Sequence, residues 1–115
     1  MNYNLEERTA QFGISIIKYA KSIPYTPVSK PLISQLVRSG TSIGAKYMEA
    51  DGAVSKKDFQ YKIALCRKES KETMHWLRMI AQVNPEKKKE SQLLWLEGKE
   101  LTLIFSSILK NKALK

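Results

Sequence analysis

The chain of 115 residues is predicted to be all-α, an antiparallel up-down-up-down four-helix bundle, and three observations carry that prediction. Apolar residues recur at alternating steps of four and three through four separate segments, the spacing that lines one face of a helix. Only 5 Gly and 4 Pro punctuate the chain, too few for the many turns of a β-sandwich. Hydrophobic residues make up 43%, which argues against disorder and suffices for one modest core. The length fits a single domain over residues 1–115.

The first helix is expected over residues 5–22. Leu5, Thr9, Phe12, Ile16, Tyr19 and Ile23 share one face, and Pro24, Pro27 and Pro31 then force an extended connection. The second is expected over 30–50, with Ser29 accepting its first amide protons and Pro31 tolerated in the first turn. Leu32, Leu36, Gly40, Ile43 and Tyr47 form its inner face. Gly40 and Gly44 each cost about 1 kcal/mol inside a helix relative to alanine, and close approach of another helix is the return to expect. A phosphate-cradling loop is the poorer reading, because no strand precedes these glycines and no Gly-Lys-Ser/Thr follows.

Asp51 and Gly52 make the next break, and Ser55 with Asp58 reads as the cap of a third helix over 56–83. Phe59, Ile63, Cys66, Ser70, Thr73, Leu77 and Ile80 keep the four-three rhythm. The small, weakly polar middle of this seam suits tight packing against the glycine face of the second helix. Asn84, Pro85 and Glu86 read as cap, first-turn proline and an acid at the positive helix end, opening a fourth helix over 86–112. Its seam is Leu94, Gly98, Leu101, Phe105 and Ile108. Leu93, Leu96, Ile104 and Leu109 widen the apolar face, which suggests burial both in the core and in an oligomer interface. Short connections between four such helices make the up-down arrangement the simplest packing.

Lys and Arg number 20 against 11 Asp and Glu, a net charge of +9. The excess is present in each of the segments 1–30, 31–50, 51–85 and 86–115, so it is no tail. Such a field favours a polyanion, nucleic acid before a membrane surface, although a merely well-solvated surface has the same composition. The single cysteine excludes an intrachain disulfide and points to a reducing compartment. The first residues are polar and acidic where a signal peptide is basic then apolar, and no stretch reaches the ~18 apolar residues of a membrane span, so a cytoplasmic protein without membrane contact is expected.

No catalytic set is legible, and no enzyme, cofactor or metal is expected. His75 is the one histidine and lies two positions from the core residue Thr73, which turns it outward, whereas Cys66 points inward. Glu72 and His75 have the Glu-x-x-His spacing of di-iron bundles, but such a site needs two histidines.

The third helix carries the candidate binding surface. Lys57, Tyr61, Ala64, Lys68, Lys71, His75 and Arg78 repeat two positions out of phase with the core and hold no acid. This outward stripe suits phosphates, with Tyr61 as a stacking face, and Lys87, Lys88 and Lys89 add charge at the start of the fourth helix. An ordinary solvated face would have the same pattern. Between stripe and core run Lys62, Leu65, Glu69, Glu72 and Trp76, matched on the second helix by Arg38, Ser42, Ala45 and Glu49. Carboxylates beside a core need a cation, so a polar network is expected in which Arg38 pairs with Glu69 or Glu72.

These flanking residues also carry a resemblance. The run from Gln35 to Ala45 (QLVRSGTSIGA), then Tyr47, Glu49 and Ala50, is similar to the signature of the four-helix-bundle proteins encoded in intervening sequences of bacterial large-subunit ribosomal RNA genes. So are Ser55 to Phe59, Lys62, Lys68 to Ser70, Glu72, Thr73, Trp76 and Leu77. The match covers about residues 5–110 and departs from the pattern at Lys46, in place of asparagine, and Met48, in place of arginine. The resemblance implies an up-down bundle, no enzymatic activity and a ring-like homopentamer, which would gather five such charges. A related branch, the accessory protein of diversity-generating retroelements, binds a reverse transcriptase and nucleic acid. On these grounds the expected function is a non-enzymatic, oligomeric bundle that binds nucleic acid, RNA before DNA. A protein-interaction scaffold or reverse-transcriptase accessory, its charge serving solubility, is the alternative.

Overall fold

A computed structural model describes residues 4–111. Four α-helices follow one another: α1 Leu5–Lys21, α2 Ser29–Asp51, α3 Lys56–Val83 and α4 Lys88–Lys110. One 3₁₀ turn, Pro85–Lys87, leads into α4, and no strand occurs among the described residues. The molecule is a rod of 45 × 21 × 19 Å.

Side-chain pairs fix every neighbouring pair as antiparallel, because residue numbers rise along one helix as they fall along the other. Gly44 of α2 sits against Thr9 of α1, and Gly40 against Ile16. Arg38 of α2 reaches Glu72 of α3, and Glu49 reaches Lys62. Thr102 of α4 donates to the Met74 sulfur of α3, and Trp95 shares a groove with Arg78. Arg8 of α1 meets Glu97 of α4, and Tyr19 meets Ser91. The order around the bundle is therefore α1, α2, α3, α4, with α4 returning to α1.

The core is what the period dictated. Leu5, Thr9, Phe12, Ile16, Tyr19 and Ile23 are all buried, as are Leu36 and Ile43 of α2, Ile63 to Ile80 along the α3 seam, and Leu101 and Phe105 of α4. Each leucine, isoleucine or phenylalanine among them contributes roughly 1.5–3 kcal/mol by leaving water, before chain entropy is charged against it. Leu32, Tyr47, Phe59, Leu94 and Ile108 lie at the ends of the seams and are half-buried against the same cluster.

Three local readings change. The glycine face of α2 packs on α1, not on α3. A Cβ on Gly40 would stand 2.8 Å from Cγ2 of Ile16, and one on Gly13 of α1 would stand 3.5 Å from the Gly40 carbonyl oxygen. Glycine thus stands on both sides of the α1–α2 contact. The small residues of α3 still pack on α2, but beside its glycines: Thr73 donates to Ser39 at 3.0 Å and the Cys66 thiol to the Ile43 carbonyl at 3.7 Å, while Gly98 of α4 lies near the Ser70 carbonyl.

The second correction concerns the start of α2. Ser29 is not the cap. The Ser29 amide donates to Oγ1 of Thr26 at 3.0 Å, and the Thr26 amide donates to Oγ of Ser29 at 2.8 Å. This is a reciprocal capping box opened by Thr26, with Pro27 in the first-turn position where its missing amide proton is no loss. Ser29 also donates to the Pro24 carbonyl at 2.6 Å, which ties the proline-rich connection down. The third concerns Asn84, whose side chain donates back to the Ile80 carbonyl at 3.3 Å and so finishes α3 rather than opening α4. Ser55, by contrast, caps α3 as expected, accepting from the Asp58 amide at 3.0 Å.

Candidate nucleic-acid interface

The outward stripe of α3 is solvent-facing along its length. Lys57, Tyr61, Lys68, Lys71, His75 and Arg78 are all exposed, and only Ala64 among them is half-buried. Tyr61 presents 60% of its surface, enough for an aromatic face to stack on a ligand. From Lys57 to Arg78 the row extends for roughly 30 Å at the rise of an α-helix. None of Lys57, Lys68, Lys71 or Arg78 forms an ion pair with an acid of the described residues.

The acids of α3 are engaged elsewhere. Glu69 accepts from Nη1 of Arg38 at 3.2 Å, and Glu72 accepts from Nη2 of the same guanidinium. Nε of Arg38 donates to Gln35 at 3.0 Å, which holds the fork in place. Glu72 also accepts from the Trp76 indole at 3.1 Å. Burial works to raise the Glu72 carboxyl, but the hydrogen bonds from Trp76 and Arg38 and the charges of Arg38 and Lys68 outweigh it and hold the group below the usual range. Further along the same seam, Lys62 reaches Glu49 at 2.7 Å, with Lys46 at 3.8 Å on the other oxygen. The hydrogen bond with Lys62, then the Lys46 charge, lowers the Glu49 carboxyl, and the same hydrogen bond raises the Lys62 ammonium. The network expected from the flanking residues thus stands as two clusters bridging α2 and α3. Arg38 and Glu49 are about half exposed, so these pairs orient side chains more than they add stability.

This segregation sets the electrostatics of α3. Glu69 and Glu72 face α2 and are neutralised there, Asp58 stays at the helix start where it accepts from the Val54 amide, and the outward cations are left to solvent. At the start of α4, Lys88 and Lys89 continue the basic surface. Lys87 differs: it is half-buried in the 3₁₀ turn and pairs with Glu90 at 3.6 Å.

The candidate chemical groups are kept apart. Cys66 is fully buried, its thiol donates to the Ile43 carbonyl at 3.7 Å, and burial pushes it up to about 12. A thiol at that value is no nucleophile at neutral pH. His75 lies outside, edge-on to Trp76 with ring centroids 4.8 Å apart. Glu72, the other half of the Glu-x-x-His spacing, is occupied by Arg38 and Trp76.

Sequence reasoning missed two features. Arg8 bridges α1 to α4 with two hydrogen bonds to Glu97, both 2.8 Å, and a contact to Glu100 at 3.0 Å. Hydrogen bonding to Glu97 holds its guanidinium above its ordinary value against the opposing effect of burial. Its place next to the seam residue Thr9 was the available signal. The other is a groove of about 570 Å³ between the end of α3 and the start of α4, whose lining includes Arg78 and Lys88. Trp95, one position off the α4 seam, was its only trace in the sequence.

On α4, Leu93, Leu96 and Leu103 are exposed, at 64%, 50% and 59%, while Ile104 is buried and Leu109 half-buried. The widened apolar face therefore divides into a part in the core and a part on the surface. A second exposed apolar set, Ile14, Ile17 and Met48, lies along α1 and α2. No helix of the described residues is long and apolar enough to cross a membrane.

Comparisons with known proteins agree with this architecture. The crystal structure of a protein with unknown function from the S23 ribosomal protein family of Bacteroides thetaiotaomicron superposes with a TM-score of 0.85 at 27% identity, covering 93% of this chain and 99% of that one. No curated protein matches the chain. The family of the 23S rRNA-intervening sequence protein matches residues 2–107, and the chain belongs to that family.

Proposed function

We propose that this protein is a non-enzymatic, cytoplasmic homo-oligomer that binds nucleic acid, RNA in preference to DNA, through phosphate contacts along the outer face of α3 and the start of α4. The observation that carries the reading is the charge segregation on α3. Glu69 and Glu72 are held by Arg38, whereas Lys57, Lys68, Lys71 and Arg78 have no acidic partner among the described residues. A row of unpaired cations on one straight helix meets a polyanion without first breaking internal ion pairs. The family's association with 23S rRNA intervening sequences supports RNA as that polyanion. Lys88 and Lys89 extend the surface, and Lys87 contributes less because Glu90 shares its charge.

The test is fluorescence anisotropy with labelled RNA and duplex DNA over a salt series. Affinity should fall linearly on a log–log plot, with a slope of about −0.7 to −0.9 per phosphate neutralised. Reversing Lys68 and Lys71 to glutamate should reduce the slope by one such step per site. Absence of binding at low salt, or binding indifferent to salt, would refute the reading.

The exposed Leu93, Leu96 and Leu103 of α4 support self-association, and a pentamer is the state the resemblance implies. Light scattering on the purified protein tests it, and a monomer at micromolar concentration would remove the ring. The same patch favours one second reading, a scaffold that docks a protein such as a reverse transcriptase. Under that reading, Leu96→Glu would abolish the partner contact and leave RNA affinity absent throughout.

A further inference from the structure

The groove at the α3–α4 turn has a composition distinct from the rest of the surface. Its floor is Leu77 and Ser91, 0% and 3% exposed, and Trp95 and Ala81 are half-buried in its walls. Ser91 is bonded to the buried Tyr19 hydroxyl, which fixes the floor from below. Arg78 and Lys88 stand exposed at the edge, with Gln82 and Gln92 beside them, and no acid lines the groove. A third cation is close, because the Lys99 ammonium lies 5.5 Å from the centre of the Trp95 ring. The volume of about 570 Å³ is that of a small-molecule site, typically about 300–1,000 Å³.

From these features we infer that the groove receives one unpaired base of a single-stranded nucleic acid, stacked against Trp95, with its flanking phosphates on Arg78 and Lys88. The inference rests on the phosphate-binding reading above and adds strand selectivity to it. Three facts select this occupant. The ligand must be anionic, since the groove has cations and no carboxylate. It must be partly flat and apolar, since the walls are an indole, an alanine and Pro85. It must also be continuous with whatever lies along α3, because Arg78 belongs both to the groove and to the outward row. A strand tracking that row arrives at the groove with a base at hand. Gln82 and Gln92 supply donors and acceptors for a base edge. A base inside a duplex is excluded, because leaving the stack costs a few kcal/mol, whereas a single strand has already met that cost.

The test uses a Trp76→Phe background, which leaves Trp95 the only indole of the chain. A short oligouridylate and a blunt-ended RNA duplex of equal phosphate number are titrated, with Trp95 emission and anisotropy read together. The expected result is saturable quenching by the single strand and none by the duplex. Trp95→Ala should weaken single-strand binding about tenfold and leave duplex binding unchanged, in line with the worth of one stacked base. Trp95 also packs on the core, so Ala81→Leu serves as a second variant that fills the groove with an aliphatic side chain and leaves Trp95 in place. It should cause the same loss. Equal, salt-sensitive binding of both RNAs with unchanged Trp95 emission would overturn the groove and leave the phosphate reading standing. No binding of either at low salt would overturn both. Quenching by an acidic tyrosine-containing peptide as strong as that by oligouridylate would also overturn the assignment, because the groove would then be a protein-docking site.

Discussion

Replacing Gly40 with alanine is expected to destabilise the bundle although alanine is the better helix former. The intrinsic preference favours the substitution by about 1 kcal/mol. The packing opposes it. The new methyl would stand 2.8, 2.9 and 3.1 Å from Cγ2, Cγ1 and Cβ of Ile16. Ile16 is fully buried and branched at Cβ, so it has one comfortable rotamer and no free end to move aside. Overpacking costs typically about 1–3 kcal/mol, and three contacts this short place Gly40→Ala at the upper end, for a net loss of about 1–2 kcal/mol. Gly44→Ala is the control. Its methyl would meet Thr9 Oγ1 at 3.4 Å and the Thr9 backbone at 3.6 Å, ordinary contact, so the helix preference should prevail and stability should rise by up to about 1 kcal/mol. Urea unfolding followed by circular dichroism measures both. Ile16→Ala alone should cost about 2–5 kcal/mol, and combined with Gly40→Ala it should cost clearly less than the sum, because the methyl then enters the space vacated. A Gly40→Ala protein as stable as the parent, or strictly additive losses, would refute the reasoning.

Three further outcomes are expected. The Glu72 carboxyl titrates below its ordinary value of 4.5 in the folded state, so its contribution is complete above that pH and is lost as pH falls through the lower folded value. Urea midpoints from neutral pH down to about pH 3 should therefore decline on the acid side, and Glu72→Gln should flatten part of that decline. Tyr19→Phe should cost about 1–2 kcal/mol, because Ser91 is left buried without its partner, while the Tyr19→Phe/Ser91→Ala pair should cost less than the two singly. Cys66 should resist a water-soluble disulfide reagent in the native protein and react only as fast as the chain opens, as fully buried thiols do. Stopped-flow thiol labelling against denaturant checks this.

How much of the site was legible depends on whether a residue's role is set within one helix or between two. The outward stripe from Lys57 to Arg78 follows from helical phase alone, and the structure places all its charged members in solvent. Arg38 beside Glu69 and Glu72 followed from phase plus the cost of leaving a carboxylate at a core edge unpaired. Arg8 with Glu97 and Glu100 did not follow, because all three lie just off their own seams, and pairing them requires knowing the axial register of α1 against α4. The groove was hidden for the same reason. Trp95 reads as one more apolar residue until Arg78 and Lys88 are brought beside it by the turn at Pro85. Local capping was also misread where two candidates compete. Thr26 and Ser29 are both good caps three residues apart, and only the geometry of the proline-rich connection chooses Thr26.

By itself the amino-acid sequence determined the helices, their inner faces and the sign and phase of the outward charge. All of these rest on a period of 3.6 residues and on the identity of single side chains. Only the tertiary structure decided which helix the glycines of α2 serve. The methyl-free surface of Gly40 is filled by Ile16, so the glycines serve α1, while α3 packs on α2 through Ser39 and Ile43. Only the tertiary structure, too, decided where α4 is left uncovered, since the same leucine-rich run supplies a buried Ile104 and an exposed Leu103. The physical reason is common to both. A repeating pattern states which face of a helix is apolar, but the partner of that face is set by how four helices share one core.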